Sequence, residues 1–214
     1  MINIVAPSRA GVSGIIVQDV TLAATGVTAF RITVNDDVNA DIQAEVKHCK
    51  FINNKNENGV GAAFAAAING KGPLYNDIVI EDCEFTENGS GAGSAINIDG
   101  NYAQPKIYNC VFKENKVDVN YNAGKQTHGG AVKVSRGSPT FKNCTFEGNS
   151  TAHGSGGAVW ITDETAGSGA DGGGTDAYPF VATFENCTFT GNTTTSAYGK
   201  GGAVYVARFY EANF

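Results

Sequence analysis

The sequence has little of what several protein classes require. Charged residues make up only 17% of the chain and proline occurs 5 times, which excludes charge-driven disorder and collagen-like or polyproline structure. No stretch of about 18 apolar residues occurs, so we expect no membrane span. The formal net charge of −6 argues against general nucleic-acid binding. What remains is a chain of 214 residues with 42% hydrophobic residues, enough for one domain with a real core.

What the sequence does contain is an internal repeat. One block follows the pattern apolar, any, Asn or Asp, Cys, any, Phe, any, any, Asn, with His48 once at the third position. Five copies align without gaps, and a sixth fits with substitutions: 46–54, 80–88, 107–115, 141–149, 184–192 and, as the sixth, 17–25. A second block follows most copies: GSAINI (93–98), GGAVKV (129–134), GGAVWI (156–161) and GGAVYV (201–206), with TAFRIT (28–33) and GAAFAA (61–66) as weaker matches.

The two blocks predict short strands in a solenoid. Cys and Phe lie two residues apart and share one face of a strand, and the second block also alternates with period two. Insertions can be accommodated in the turns of a β-coil, so repeats of unequal length favour a parallel β-helix. We expect an all-β, single-stranded parallel β-helix of about six coils. The general preference for right-handed crossovers makes it right-handed. We expect one domain with 1–14 as an N-terminal lead-in, 15–206 as coils and 207–214 as a C-terminal tail.

Stacking the repeats places like residues in columns. Inward Cys and Phe columns are expected to form a dry core, with free thiols because stacked parallel cysteines have poor disulfide geometry. An Asn column is expected at a turn, where each side-chain amide can form hydrogen bonds with the local backbone and with the Asn amide of the next coil. The three ladders are Cys49, Cys83, Cys110, Cys144 and Cys187; Phe51, Phe85, Phe112, Phe146 and Phe189; and Asn54, Asn88, Asn115, Asn149 and Asn192.

Pairs of opposite charges, which the alignment places side by side in adjacent coils, support it independently of the repeat pattern. Each exposed pair contributes less than about 1 kcal/mol, so such pairs set register more than stability. The predicted pairs are Lys47 with Glu81, Lys50 with Glu84, Lys113 with Glu147 and Lys142 with Glu185.

The combination of FxxN, which occurs five times, and GGAV, which occurs three times, resembles the repeats of chlamydial polymorphic membrane proteins and related bacterial surface proteins. The resemblance covers residues 15–206. It implies a right-handed parallel β-helix that is secreted as a passenger, lies outside the cell or on its surface, and acts in adhesion.

We expect no cofactor and no metal site. A straight row of thiols cannot surround an ion tetrahedrally, and His128 and His153 precede neighbouring GGAV blocks without a third ligand. The Gly-rich acidic loop 162–179 is best interpreted as a surface excursion, with a calcium site as the alternative.

A binding strip is expected on the outward side of the GGAV strands. Trp160 and Tyr205 would be neighbours on adjacent coils, beside Lys133, and aromatic rings on a flat sheet can stack on sugars or anchor a protein partner. The alternative is that these rings pack under loop 162–179 or against a neighbouring subunit.

A catalytic site is the weaker hypothesis. Polysaccharide lyases and glycosidases also use β-helices, and their chemistry needs converging carboxylates or a carboxylate with a cation. The best candidates are Glu87 and Glu114 in adjacent coils, with Lys113 nearby. Solvated turn residues are the competing interpretation.

The two ends of the coil complete the functional hypothesis. Residues 1–14 lack the basic and long apolar regions of a signal peptide, and no capping helix follows the last coil. Open β-coils expose backbone and core, so the chain is expected either to be cut from a longer surface protein or to stack end to end into a fibre. We therefore expect an extracellular structural or adhesive module whose partners are other copies of itself and carbohydrate or a surface protein. A polysaccharide-degrading enzyme is the alternative.

Overall fold

The computed structural model describes residues 1–6, 12–34, 42–56, 59–68, 76–117, 127–162, 180–206 and 210–214. Every helix or strand in these ranges is a β-strand, and every strand pair is parallel. The described residues therefore confirm the predicted parallel β-helix.

Each coil contributes strands to four parallel sheets, which we number by their place in the repeat. Sheet 1 holds the GGAV-type strands β1 (Ile2–Ala6), β4 (Phe30–Val34), β8 (Phe64–Ile68), β12 (Ile96–Ala103), β16 (Val132–Gly137), β20 (Val159–Thr162) and β24 (Val204–Val206). Sheet 2 holds the strands that precede the Cys position: β2 (Val12–Gln18), β5 (Ile42–Lys47), β9 (Asn76–Glu81), β13 (Lys106–Tyr108), β17 (Thr140–Lys142), β21 (Phe180–Glu185) and β25 (Tyr210–Asn213).

Sheets 3 and 4 contain shorter strands. Sheet 3 holds the FxxN-type strands β3 (Thr21–Ala23), β6 (Lys50–Ile52), β10 (Glu84–Thr86), β14 (Val111–Lys113), β18 (Thr145–Glu147) and β22 (Thr188–Thr190). Sheet 4 holds the two-residue strands β7 (Lys55–Asn56), β11 (Gly89–Ser90), β15 (Lys116–Val117), β19 (Ser150–Thr151) and β23 (Thr193–Thr194). Sheets 1 and 2 join where Ala103 of β12 pairs with Asn76 of β9.

The strand register follows the repeat alignment, with two differences. Paired strands extend beyond residues 15–206, because β1 pairs with β4 and β25 pairs with β21. Residues 2–6 and 210–213 thus belong to the coil, although the sequence suggested a lead-in and a tail. Phe30 pairs with Phe64, so the second block of the first repeat is 27–32 and the predicted block 28–33 was displaced by one residue.

Two columns of left-handed backbone bends flank sheet 3. The residue before the Cys position has φ between 51° and 55° in all six copies, a conformation in which Asn and Asp are enriched. The residue before the ladder Asn has φ between 52° and 64°, and its identity varies. The two columns are Asp19, His48, Asp82, Asn109, Asn143 and Asn186; and Ala24, Asn53, Glu87, Glu114, Gly148 and Gly191.

The second glycine of GGAV is fixed by close packing between coils. A Cβ on Gly130 would lie 1.9 Å from the carbonyl oxygen of Gly157, and one on Gly157 would lie 1.9 Å from that of Gly202. Real side chains do not approach backbone this closely, so these positions have no room for any other residue.

The core consists of stacked like residues, as predicted. Adjacent rings of the Phe ladder are nearly parallel, with centroids 4.9, 4.9, 4.7 and 4.8 Å apart from Phe51 to Phe189. All five cysteines are free; four are buried and Cys187 is half-buried. Burial raises the pKa of the Cys110 thiol, which keeps it a neutral, apolar filler.

The Asn ladder is hydrogen-bonded from coil to coil, and its members are buried except Asn192, which is half-buried. Asn115 is representative: its Nδ2 donates to Asn149 Oδ1 and to the Phe85 carbonyl oxygen, both at 2.9 Å. Its Oδ1 accepts from the backbone N and the Nδ2 of Asn88 at 3.1 and 2.9 Å. The predicted turn ladder is thus confirmed, and it ties each coil to the next inside the protein.

All four predicted ion pairs are present on the outside of the coil. The distances are 3.8 Å for Lys47–Glu81, 3.2 Å for Lys50–Glu84, 3.4 Å for Lys113–Glu147 and 2.8 Å for Lys142–Glu185.

Candidate functional site

The outward side of sheet 1 carries the predicted strip in the expected register. Lys133 pairs with Trp160, and Trp160 pairs with Tyr205, so the three residues do lie on successive coils. The complete outward column is Asn3, Arg31, Ala65, Asn97, Lys133, Trp160 and Tyr205.

Trp160 does not present its ring to solvent. Only 2% of its surface is exposed. The imidazole of His128 stacks on the indole with ring centroids 4.4 Å apart and planes at 7°. Lys133 Nζ lies 5.0 Å from the indole centroid, a cation–π contact. The expectation of an open aromatic platform at Trp160 is therefore wrong. His128, from the connection before the neighbouring coil's GGAV block, stacks on the ring, and the alternative of packing under loop 162–179 falls outside the described residues from residue 163 onwards.

His128 is held as a neutral imidazole. Its Nδ1 accepts a hydrogen bond of 3.0 Å from the backbone N–H of Ser155. Burial, and secondarily the charge of Lys133, lowers the pKa of His128 to about 4. His153 is exposed, and no group of three or more His, Cys, Asp or Glu in the described ranges could hold a metal ion.

The carboxylates of the catalytic hypothesis are exposed turn residues. Glu87 and Glu114 occupy the variable left-handed bend column, at φ 55° and 53°. Lys113 forms its ion pair with Glu147 instead of with either of them. Loop 162–179, interpreted as a surface excursion with a calcium site as the alternative, falls outside the described residues from residue 163 onwards.

A cavity of about 530 Å³ opens on the outward side of β1 and β4. This volume falls within the range of small-molecule sites, about 300–1,000 Å³. The lining comes from Met1, from outward side chains of the two strands, from Asn56 of β7 and from the connections that precede sheet 1. The lining residues are Met1, Asn3, Val5, Val27, Thr28, Arg31, Thr33, Asn56 and Gly59.

Hydrogen bonds orient the polar groups of this cavity. Arg31 is exposed, and its Nε donates to Thr33 Oγ1 at 3.1 Å. Asn56 Nδ2 donates to Thr28 Oγ1 at 2.9 Å. Among the described residues, no carboxylate lies within salt-bridge distance of Arg31. Within the described residues, the cavity therefore combines a guanidinium that has no carboxylate partner with amide and hydroxyl groups held by hydrogen bonds.

Sequence reasoning missed this cavity. Residues 1–14 were interpreted as a lead-in, so Asn3 and Val5 of β1 were not considered. The alternation of INIVA over residues 2–6 was the available signal.

Comparison with known proteins gave no match: no protein-family model, no curated protein and no solved structure matches this chain. The described part of the chain contains no helix with the length and apolarity needed to span a bilayer.

Proposed function

We propose that this chain is a structural or adhesive β-helix module that works at the cell surface. The observation that carries the proposal is the continuity of its ladders: the repeated Phe, Cys and Asn residues are all used in packing one coil on the next. Outward Lys and Glu residues neutralise one another between coils. Such a surface suits a rigid support better than a cleft. The extracellular location rests on the resemblance of the repeats.

Self-association through the ends is the second part of the proposal. At one end, Val17 of β2 is half-buried and begins the inward column of sheet 2. At the other end, Phe214 continues the same column, stacking on Phe184 at 5.1 Å while 81% exposed. A second copy would extend this column by placing its Val17 on Phe214 of the first copy. In that arrangement, β1 and β2 of the second copy pair with β24 and β25 of the first. That arrangement continues sheets 1 and 2 and leaves one strand position open over β22 and β23.

A matched pair of variants tests the assembly. Val17→Lys places a charge on the apolar contact, whereas Ile16→Lys changes the neighbouring outward residue, which is 62% exposed. We expect light scattering and negative-stain microscopy to show concentration-dependent stacks for the wild type and Ile16→Lys, and monomers for Val17→Lys. Circular dichroism checks that both variants fold. A wild type that stays monomeric at the highest attainable concentration would contradict self-association.

A further inference from the structure

We propose that the cavity on β1 and β4 is a binding site for a small sugar acid, a polyol that carries one carboxylate. The cavity offers about 530 Å³, enough for one such residue. The inference does not rest on end-to-end assembly, although β1 borders both the cavity and the proposed contact between copies.

The carboxylate preference comes from Arg31. Among the described lining residues, its guanidinium is the one charged side chain, and the amino-terminal residue Met1 lies in the same lining. The Nε bond to Thr33 fixes the plane of the group and leaves the two terminal nitrogens to donate. A planar pair of donors matches the two oxygens of a carboxylate, which a lysine cannot do in the same way.

The polyol preference comes from the remaining lining groups. Amides of Asn3 and Asn56 provide donors and acceptors suited to ligand hydroxyls. The Asn56 amide is fixed by its bond to Thr28, so little conformational entropy is lost when a ligand binds. Val5 and Val27 supply apolar contact for the carbon-bound hydrogens of a sugar ring.

The neighbouring coils explain why this part of the column is open. Arg31 pairs with Ala65, whose methyl group fills little of the outward space. Further along, the corresponding positions hold Lys133 and Trp160, and the ring of His128 fills the space over them. The space outside this column is thus occupied by side chains near Trp160 and open near Arg31.

Titration with glucuronate, glucose and inorganic phosphate tests the proposal on the full chain. We expect glucuronate to bind with a Kd of about 1 mM, as a ligand of this size allows, by calorimetry or by amide shifts of cavity residues. Glucose, which lacks the carboxylate, should bind at least about tenfold more weakly. Inorganic phosphate separates carboxylate recognition from general anion binding, and we expect it to be weaker than glucuronate.

Arg31→Gln should weaken glucuronate binding at least about tenfold and leave the residual glucose affinity unchanged. Lys133→Gln removes the same charge from the same outward column and should leave glucuronate binding unchanged. If Arg31→Gln does not fold, Thr33→Val, which removes the acceptor that orients Arg31, should weaken glucuronate binding severalfold. The proposal is overturned if glucuronate does not bind, if glucose or phosphate binds as tightly, or if Lys133→Gln lowers the affinity as much as Arg31→Gln.

Discussion

The inner Asn ladder and the outer bend column before the Cys positions run along the same coil in different surroundings. The inner ladder, represented by Asn115, is buried and makes hydrogen bonds of 2.9–3.1 Å through the whole side-chain amide. The outer column, represented by Asn143, is exposed, lies at φ 54° and donates a single amide bond of 3.0 Å to Asn109. The inner column is therefore held by hydrogen bonding, and the outer one by backbone conformation. Each can be broken separately.

The largest effect is expected for Asn115→Ala. The substitution removes two donated bonds and leaves the backbone N and Nδ2 of Asn88 without their buried acceptor. Unsatisfied buried groups are expensive, so the free energy of unfolding should fall by about 4 kcal/mol. Denaturant unfolding measures this change. A loss no larger than that of Asn143→Ala would contradict the distinction between the two columns.

A pH titration extends the comparison to a buried polar residue outside the ladders. The pKa of His128 is lowered in the fold to about 4, so the unfolded chain takes up the proton first. The stabilisation by neutral His128 is complete above its ordinary pKa of about 6.5 and is lost as the pH falls towards 4, by on the order of 3 kcal/mol. Urea unfolding between pH 7 and 4 measures the slope. His128→Gln should flatten it in this interval, and an unchanged slope would argue against the assignment.

Asn143 tests the outer column. Alanine at φ 54° has no side-chain bond to offset the left-handed conformation, so Asn143→Ala should destabilise the protein by about 1 kcal/mol. Asn143→Gly should be close to neutral, because glycine adopts this conformation without steric cost. Thermal melts of the two variants provide the measurement. Equal losses for Ala and Gly would indicate that the amide bond to Asn109, and not the backbone, matters.

The smallest effect is expected at the outward ion pairs. Lys142 and Glu185 are 2.8 Å apart, but both side chains are about half exposed. Lys142→Gln should lower the free energy of unfolding only slightly, and 1 M salt should remove the difference. Denaturant unfolding with and without salt checks this. A loss that persists in high salt would point to packing of the Lys142 stem instead.

The fold could be predicted because like residues recur at fixed places. Cys, Phe and Asn in each copy fixed three columns, and the strand pairing from Val46 to Phe184 follows them. The second bend column could not be found in this way, because left-handed backbone there is shared by residues as different as Glu87 and Gly148.

The site was less predictable than the fold. The repeat correctly placed Trp160 on the outward side, but its burial depends on His128, which comes from a connection of irregular length. The cavity depends on β1, where the GGAV motif is absent and only an alternating strand remains. Residues that recur in every repeat therefore predict the coil, whereas the surface features depend on residues that depart from the repeat.

The column of cysteine thiols offers a way to follow how the protein unfolds. Cys187 at one end is half-buried, and Cys49, Cys83, Cys110 and Cys144 are shielded in the interior. Because each coil of a solenoid contacts only its neighbours, unravelling can begin at an end and advance coil by coil. A thiol-alkylating reagent would then mark Cys187 first and Cys144 next, so the order of labelling records how far the rod has unwound.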